Sequence, residues 1–299
     1  MVLQLELRHY ETVLAIVELG TMTAAAKALS TTQSALSHRL AEAERRLGTA
    51  LFERGPQRRL KPTRAGLVIH QAASRALSDL ERSEALLLSE REGVVSTVRI
   101  AVGSYDCFHW YPEFLRTARA NHPEIEVNLV AGIDRPEEAL ASGSADLVLA
   151  PGLPSGPISR RPLFEDELVL LVAPSHPLAH RDCIEPEELA EESYLTYNLS
   201  PTPGFEYDRF IRPASASPRI VTVVQQTSAI AELVAAGSGV SILSRWALLP
   251  VIDAGRVVPV RCGPEGLSLR WHAAIRASEA EGSPARRIAD DLASHFATI

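Results

Sequence analysis

From Gly66 to Glu92 the chain contains no proline and no glycine after its first position, while Val68, Ala72, Leu77, Leu80, Leu87 and Leu88 supply an apolar side. The pattern predicts one long helix over residues 66–92, spanning roughly 35–40 Å at about 1.5 Å per residue, and Gly93 closes it. A helix of that length divides the chain into a short piece, residues 1–65, and a long one, residues 93–299. An exposed apolar stripe on an extended helix calls for a partner, so the economical expectation is a dimer paired through residues 66–90. The alternative is that the stripe packs on the chain's own body.

The two pieces differ in charge. Residues 1–65 hold 10 Lys/Arg against 6 Asp/Glu, whereas the rest is strongly acidic, and the whole chain carries a formal charge of -7. A small basic head on an acidic body fits a protein in which only the head touches a polyanion. With 46% hydrophobic residues the chain has enough apolar material for real cores, which excludes a disordered protein. Cys107, Cys183 and Cys262 are odd in number and far apart, which speaks against a disulfide framework and for a reducing compartment. Charges at Glu6, Arg8, Glu11 and Glu18 interrupt the N-terminus as a secretory leader, and no uncharged apolar run approaches the roughly 20 residues of a bilayer span. The reading is a cytoplasmic protein with no membrane partner.

In the head, Leu5, Tyr10, Val13, Leu14 and Val17 recur at helical spacing up to Gly20. Thr21 and Thr23 then offer hydroxyl caps to the alanine-rich stretch Ala24–Leu29. After the polar break Ser30-Thr31-Thr32, a further helix buries Leu36, Leu40, Ala43 and Leu47 and leaves Gln33, Ser34, Ser37 and His38 on its free face. Two short helices around a tight turn match helix-turn-helix geometry. Chemistry supports the match, because a helix fits the major groove, Gln pairs with adenine, and Ser meets either donors or acceptors on base edges. Of Arg39, Arg45 and Arg46, at least some are better placed for phosphates or solvent than for bases. Residues 55–63 read as a short wing in which Arg58, Arg59 and Lys61 grip the backbone or a minor groove. Taken alone, each of these features is also ordinary solvated surface.

The body alternates strands and helices: strands at 98–102, 125–130, 146–150, 167–173, 194–197, 219–223, 240–243, 257–260 and 269–275, with helices at 111–120, 135–142, 186–190, 204–212, 227–236 and 284–296. About two hundred residues in this order are expected to form two lobes. Loops at the ends of such strands expose backbone N–H groups to polar ligands. Ser104, Tyr105, Asp106, Cys107, Phe108 and Trp110 cluster in the first loop, and Tyr197 and Gln225-Gln226-Thr227-Ser228 hold corresponding positions later. A ligand with carboxylate and amine ends suits a cleft between them, its carboxylate on Ser104, Thr227 or Ser228 and its amine at Asp106. Ordinary loop capping is the plainer reading for any one of these residues. Cys107 and His109 invite a nucleophile-base reading, but two ligands do not complete a metal site and i,i+2 side chains diverge on a helix; no catalysis, no metal and no cofactor are expected.

GTMTAAAKALSTTQSALSHRLAEAERRLGTALFERGPQRRLKPTRAG resembles the winged helix-turn-helix signature of LysR-type transcriptional regulators. The resemblance implies that Gln33, Ser34, Ser37 and His38 face bases, and that Thr23, Thr31, Arg39, Arg58, Arg59 and Lys61 mostly hold the backbone. It implies an N-terminal all-α winged helix-turn-helix with a long linker helix, then a C-terminal α/β effector domain of two lobes similar to periplasmic binding proteins. The first lobe would comprise about 97–163 and 268–299, the second about 164–267, with the chain crossing near 163–167 and returning near 262–268. The implied partners are a double-stranded DNA operator, a second copy as homodimer or homotetramer, RNA polymerase and a small-molecule effector. TQSALSH, VRIAVGSYDCFHW and LVLLVAPSHPLA are most similar to the members governing methionine biosynthesis, whose co-effector is homocysteine. Those members carry a Cys-His pair where this chain has Ser104-Tyr105, a departure that bears on the ligand. The effector-binding set so implied is Ser104, Tyr105, Asp106, Cys107, Trp110, Tyr197, Thr227 and Ser228. The competing readings are a regulator of another pathway sensing an unrelated small anion, and a solute-binding protein with no regulatory role.

Overall fold

The computed structural model describes residues 3–54, 59–88, 94–103, 105–130, 136–152, 156–197, 205–215 and 218–297. The chain divides into two compact units, Met1–Glu90 with Ala141–Ser144, and Arg91–Leu140 with Ala145–Ile299.

The first unit begins with α1 (Leu7–Leu19), α2 (Met22–Ala28) and α3 (Gln33–Leu47). Thr21 accepts a hydrogen bond from the Ala24 N–H at 3.2 Å and Thr32 one from the Ala35 N–H at 3.1 Å, so hydroxyl caps start both later helices. Gly20 ends α1 at φ +70°, a left-handed position that suits glycine. The core gathers Leu5, Val13, Ile16, Ala25, Ala26, Leu36, Leu40, Ala43, Leu51 and Phe52. The buried face of α1 differs from the expected stripe: Tyr10, Leu14 and Val17 are half-buried, while His9 and Thr12 are fully buried. His9 tolerates this position because its Nδ1 accepts the Glu6 N–H at 3.0 Å and its Nε2 lies 3.3 Å from the Glu42 carboxylate.

A hairpin follows, β1 (Phe52–Arg54) antiparallel to β2 (Leu60–Pro62), and then α4 (Arg64–Leu88). Its junctions explain the local sequence. Glu44 on α3 accepts the Leu51 N–H at 2.8 Å, Thr63 donates its hydroxyl to the Ala50 carbonyl at 2.8 Å, and the same hydroxyl caps the Gly66 N–H at 3.1 Å. A Cβ on Gly66 would stand 2.1 Å from the Leu51 carbonyl oxygen, so the close approach requires glycine. On α4, Leu67, Val68, Ala72, Leu80 and Leu87 are exposed.

The second unit is built on an eight-stranded sheet. Its strands are β3 (Ser96–Val102), β4 (Ile125–Val130), β5 (Leu147–Pro151), β6 (Ile158–Val172), β7 (Cys183–Ile184), β10 (Ser241–Ser244), β11 (Val258–Cys262) and β12 (Leu267–Arg276). The order is β4-β3-β5-β12-β6-β11-β7, with β10 also on β6, and a separate parallel pair joins β8 (Ser193–Thr196) to β9 (Ile220–Val223). Helices α5 (Tyr111–Asn121), α6 (Pro136–Ser142), α7 (Thr227–Ala235), α8 (Leu249–Asp253) and α9 (Pro284–Phe296) complete it.

β6 and β12 pair antiparallel from Leu168↔Leu267 to Ile158↔Arg276 and run through both lobes; β5 attaches near one end, and β10 and β11 near the other. On β6, Leu168, Leu170 and Val172 enter the second lobe's core, while Val169 and Leu171 enter the larger core with Ile100, Phe114, Trp271, Ile288 and Leu292. Burial on both faces accounts for the unbroken apolar run Leu168–Val172.

Three expectations change. The strand expected at 167–173 starts at Ile158, so one long strand spans the segment 163–167 where a crossing between lobes is expected, and β12 starts at Leu267, at the end of the expected return segment. Pro162 fits because the register skips Leu163, and a bulge dispenses with a ladder N–H. The helices expected at 186–190 and 204–212 are a 3₁₀ turn, Pro186–Glu191, and a single π turn, Tyr207–Ile211. Among the described residues no helix is long and apolar enough to cross a membrane, and no group of three or more His, Cys, Asp or Glu is placed to hold a metal ion.

Candidate nucleic-acid interface and effector site

The head presents one polar face. Gln33, Ser34, Ser37 and His38 are all exposed along the first two turns of α3, and with Ala41 they line a shallow hollow. Leu36, Leu40 and Ala43 point the other way into the core, so the face is held by its own helix's apolar side. Thr23 on α2 is exposed and its hydroxyl reaches the Gln33 Oε1 at 3.4 Å, which steadies the side chain best suited to an adenine edge. Thr31 and Arg39 flank the face half-buried. Arg59 and Lys61 stand exposed on the hairpin, and β2 is fixed to the end of α1 by the Leu60 N–H on the Gly20 carbonyl at 3.0 Å. Arg58 lies outside the described residues. Exposed donors and cations thus sit on two elements, the helix α3 and the hairpin.

The body's loop between β3 and α5 is organised around Asp106. Its carboxylate accepts the Thr227 hydroxyl and the Ser228 hydroxyl, both in short hydrogen bonds, and the Ser228 backbone N–H at 2.9 Å. In return the Asp106 N–H donates to the Thr227 Oγ1 at 3.3 Å. Partial burial raises the carboxyl's pKa, but the donors from Ser228 and Thr227 outweigh it and hold Asp106 below the usual aspartate value. Asp106 is therefore already engaged by the two residues expected to receive a ligand's carboxylate, and it does not stand free to meet an amine.

The neighbours of Asp106 expected as ligand contacts face inward. Cys107 and Trp110 are core residues; the Trp110 Nε1 donates to the Cys107 carbonyl at 3.1 Å and the ring packs on Phe114 and Phe296. Burial pushes the Cys107 thiol well above its ordinary pKa, which disfavours the thiolate a nucleophile needs, and the nearby His109 packs in a tilted pair against Trp246 with its pKa lowered by loss of solvent. Tyr105 is buried between Tyr197 and Trp271, and its hydroxyl oxygen accepts the Ser244 N–H at 3.0 Å. Tyr197 is half-buried beside it. Ser104 lies outside the described residues. An apolar loop interior is the physical reason: in Tyr105-Asp106-Cys107 the side chains alternate, and the outward one reaches α7.

Two polar groups escaped the sequence reading. Asp166 accepts the Ser244 hydroxyl at 2.5 Å, the Trp246 N–H at 3.1 Å and the Trp271 Nε1 at 2.9 Å, yet within Glu165-Asp166-Glu167 it looks like surface charge. Glu206, beside the buried Phe205, has its carboxyl pushed up to about 7 by burial, and its charge reaches the phenols of Tyr105 and Tyr194. No periodic signal marks either residue.

Residues 7–67 match the family described as bacterial regulatory helix-turn-helix protein, lysR family, and residues 91–297 match the LysR substrate binding domain. The chain is 35% identical over 274 residues to the HTH-type transcriptional regulator MetR of Salmonella typhimurium, covering 91% of this chain and 84% of that protein. It is 34% identical over 277 residues to MetR of Escherichia coli strain K12, covering 92% and 86%. The regulatory domain of MetR from N. meningitidis superposes with a TM-score of 0.57 at 28% identity, over 68% of this chain and 95% of that one. Full-length CbnR, solved in complex with its target DNA, shares the fold at a TM-score of 0.62 and 22% identity, over 98% of this chain and 99% of that one. The chain belongs to the LysR family of transcriptional regulators, and it combines that family's DNA-binding helix-turn-helix with its small-molecule effector domain.

Proposed function

We propose that this regulator acts on genes of methionine or sulfur metabolism and that homocysteine, or a related amino acid, is its effector. Two copies pair through the apolar side of α4 and place their α3 helices in successive major grooves of an operator. Gln33, Ser34, Ser37 and His38 read base edges, while Thr23, Thr31, Arg39, Arg58, Arg59 and Lys61 hold the backbone. The observation that carries the DNA reading is the division of α3 into an exposed polar face and a buried leucine face. Supporting the methionine link is the similarity to MetR along nearly the whole chain. The effector's carboxylate goes to Thr227 and Ser228.

Operator affinity and footprint, measured at fixed salt with and without saturating homocysteine, test the proposal. A changed affinity or footprint is expected, because a ligand is allosteric only through a difference in binding free energy between states. Unchanged values on both counts remove homocysteine as the effector. The change from a Cys-His pair to Ser104-Tyr105 favours a second reading, an unrelated small anion as effector. Thermal shifts with homocysteine, methionine, cysteine and unrelated carboxylates separate the two, since the true ligand stabilises the folded state.

A further inference from the structure

The first turn of α7 lacks a cap from its own sequence neighbourhood: Gln226, the residue before the helix, makes no side-chain hydrogen bond to it. The cap comes instead from Asp106, on a loop 121 residues earlier in the chain. Thr227 and Ser228 give this carboxylate two hydroxyls and one backbone N–H, the donor set that the proposed function assigns to the effector's own carboxylate. Two carboxylates do not share one set of donors, because their charges repel and each oxygen forfeits a partner. A tethered group also competes at an effective concentration in the millimolar range or above.

We propose that Asp106 is a built-in antagonist of the effector, an internal carboxylate that fills the seat on Thr227 and Ser228 until a ligand evicts it. This rests on the proposed function's assignment of that seat to a carboxylate, and it adds the step by which occupancy is sensed. Eviction frees a loop whose next residue back, Tyr105, holds the Ser244 N–H. Ser244 in turn donates to Asp166, which also receives Trp246 and Trp271. The tie therefore runs from the seat into the strands shared by both lobes. It also sets specificity: a ligand with no anionic group has nothing with which to displace Asp106, and a weak one loses to it.

Full-length protein, Asp106→Ser and Asp106→Asn are compared in titrations with acetate, with chloride at the same ionic strength as the control and ethylamine as the amine probe. Melting temperature and tryptophan emission are the readouts. In Asp106→Ser the seat is vacated, and acetate is expected to half-saturate at a concentration lower by at least about tenfold than in the parent, since a competing bound state reduces apparent affinity in proportion to its population. Asp106→Asn keeps the shape while removing the charge, and a gain in the same direction shows that charge is what excludes the ligand. Equal acetate responses in all three proteins, or none in any, overturn the proposal. So does an ethylamine response in the parent that both variants lose, which makes Asp106 the receiver of an amine. Because acetate is the probe, failure of homocysteine on every protein removes that effector while leaving this outcome legible.

Discussion

At the scale of single residues, the proposed base readers and backbone holders make separable predictions. Gln33 is exposed on the face of α3 and steadied by Thr23, so Gln33→Ala is expected to lower operator affinity by about 1–3 kcal/mol while leaving random-DNA binding nearly unchanged. Lys61 stands exposed on β2, on a different element from the α3 face proposed to read bases. Lys61→Ala is expected to weaken operator and random DNA alike and to reduce the slope of log K against log salt by about one. Fluorescence anisotropy on both DNAs over a salt series measures the pair; equal losses on the two DNAs for Gln33→Ala count against base reading. Residue chemistry also decides what the sequence conceals. Asp106 is legible as a polar loop residue, but its partners lie far along the chain, and no local pattern shows that they have already taken its charge.

Elements were legible in proportion to how far one periodicity governs them. α4 announces itself by length and by the absence of Gly and Pro, and β3, β5 and β10 by short runs rich in apolar residues. β6 does not, because its first half, Ile158–Asp166, is mixed in polarity and contains Pro162, and only its second half is buried on both faces. The 3₁₀ and π turns are too short to carry a period. At Gly66 the element-level rule is steric: Gly66→Ala drives a methyl into the Leu51 carbonyl and forces the start of α4 off the hairpin. It is expected to destabilise the head by about 1–3 kcal/mol, read as an earlier loss of far-UV circular dichroism on heating. Farther along α4, Leu80 is 55% exposed, more than a soluble helix gains from leaving bare. If α4 pairs with a second copy, each Leu80 buries apolar surface worth about 2 kcal/mol. Leu80→Asp is then expected to move the sedimentation coefficient toward the monomer, and an unchanged distribution places the dimer contact elsewhere.

The whole molecule joins a basic reading head to an acidic sensing body, a contrast visible in charge counts alone. Its stability carries a signature from Glu206. Folded, this carboxyl keeps its proton to about pH 7, whereas the unfolded group ionises near 4.5, so the folded state binds more protons between these values. The contribution is fully present below about pH 4.5 and is lost as pH rises through 7. Glu206→Gln should remove that loss, raising stability at pH 8 over the parent by at most about 3 kcal/mol and changing it little at pH 4. Chemical denaturation at both pH values checks the sign, and an equal difference at the two would assign the effect to packing.

The paired strands β6 and β12 carry a mechanical consequence. Since each passes unbroken through both lobes and each is laddered to the other, the lobes share a spine, and a spine resists sliding far more than it resists flexing. The skipped Leu163 is its soft point, where one strand has slack and local twist increases. Ligand-driven movement of the body is therefore expected to bend or twist this ladder rather than slide its strands, as a torsion bar yields, whatever molecule supplies the torque.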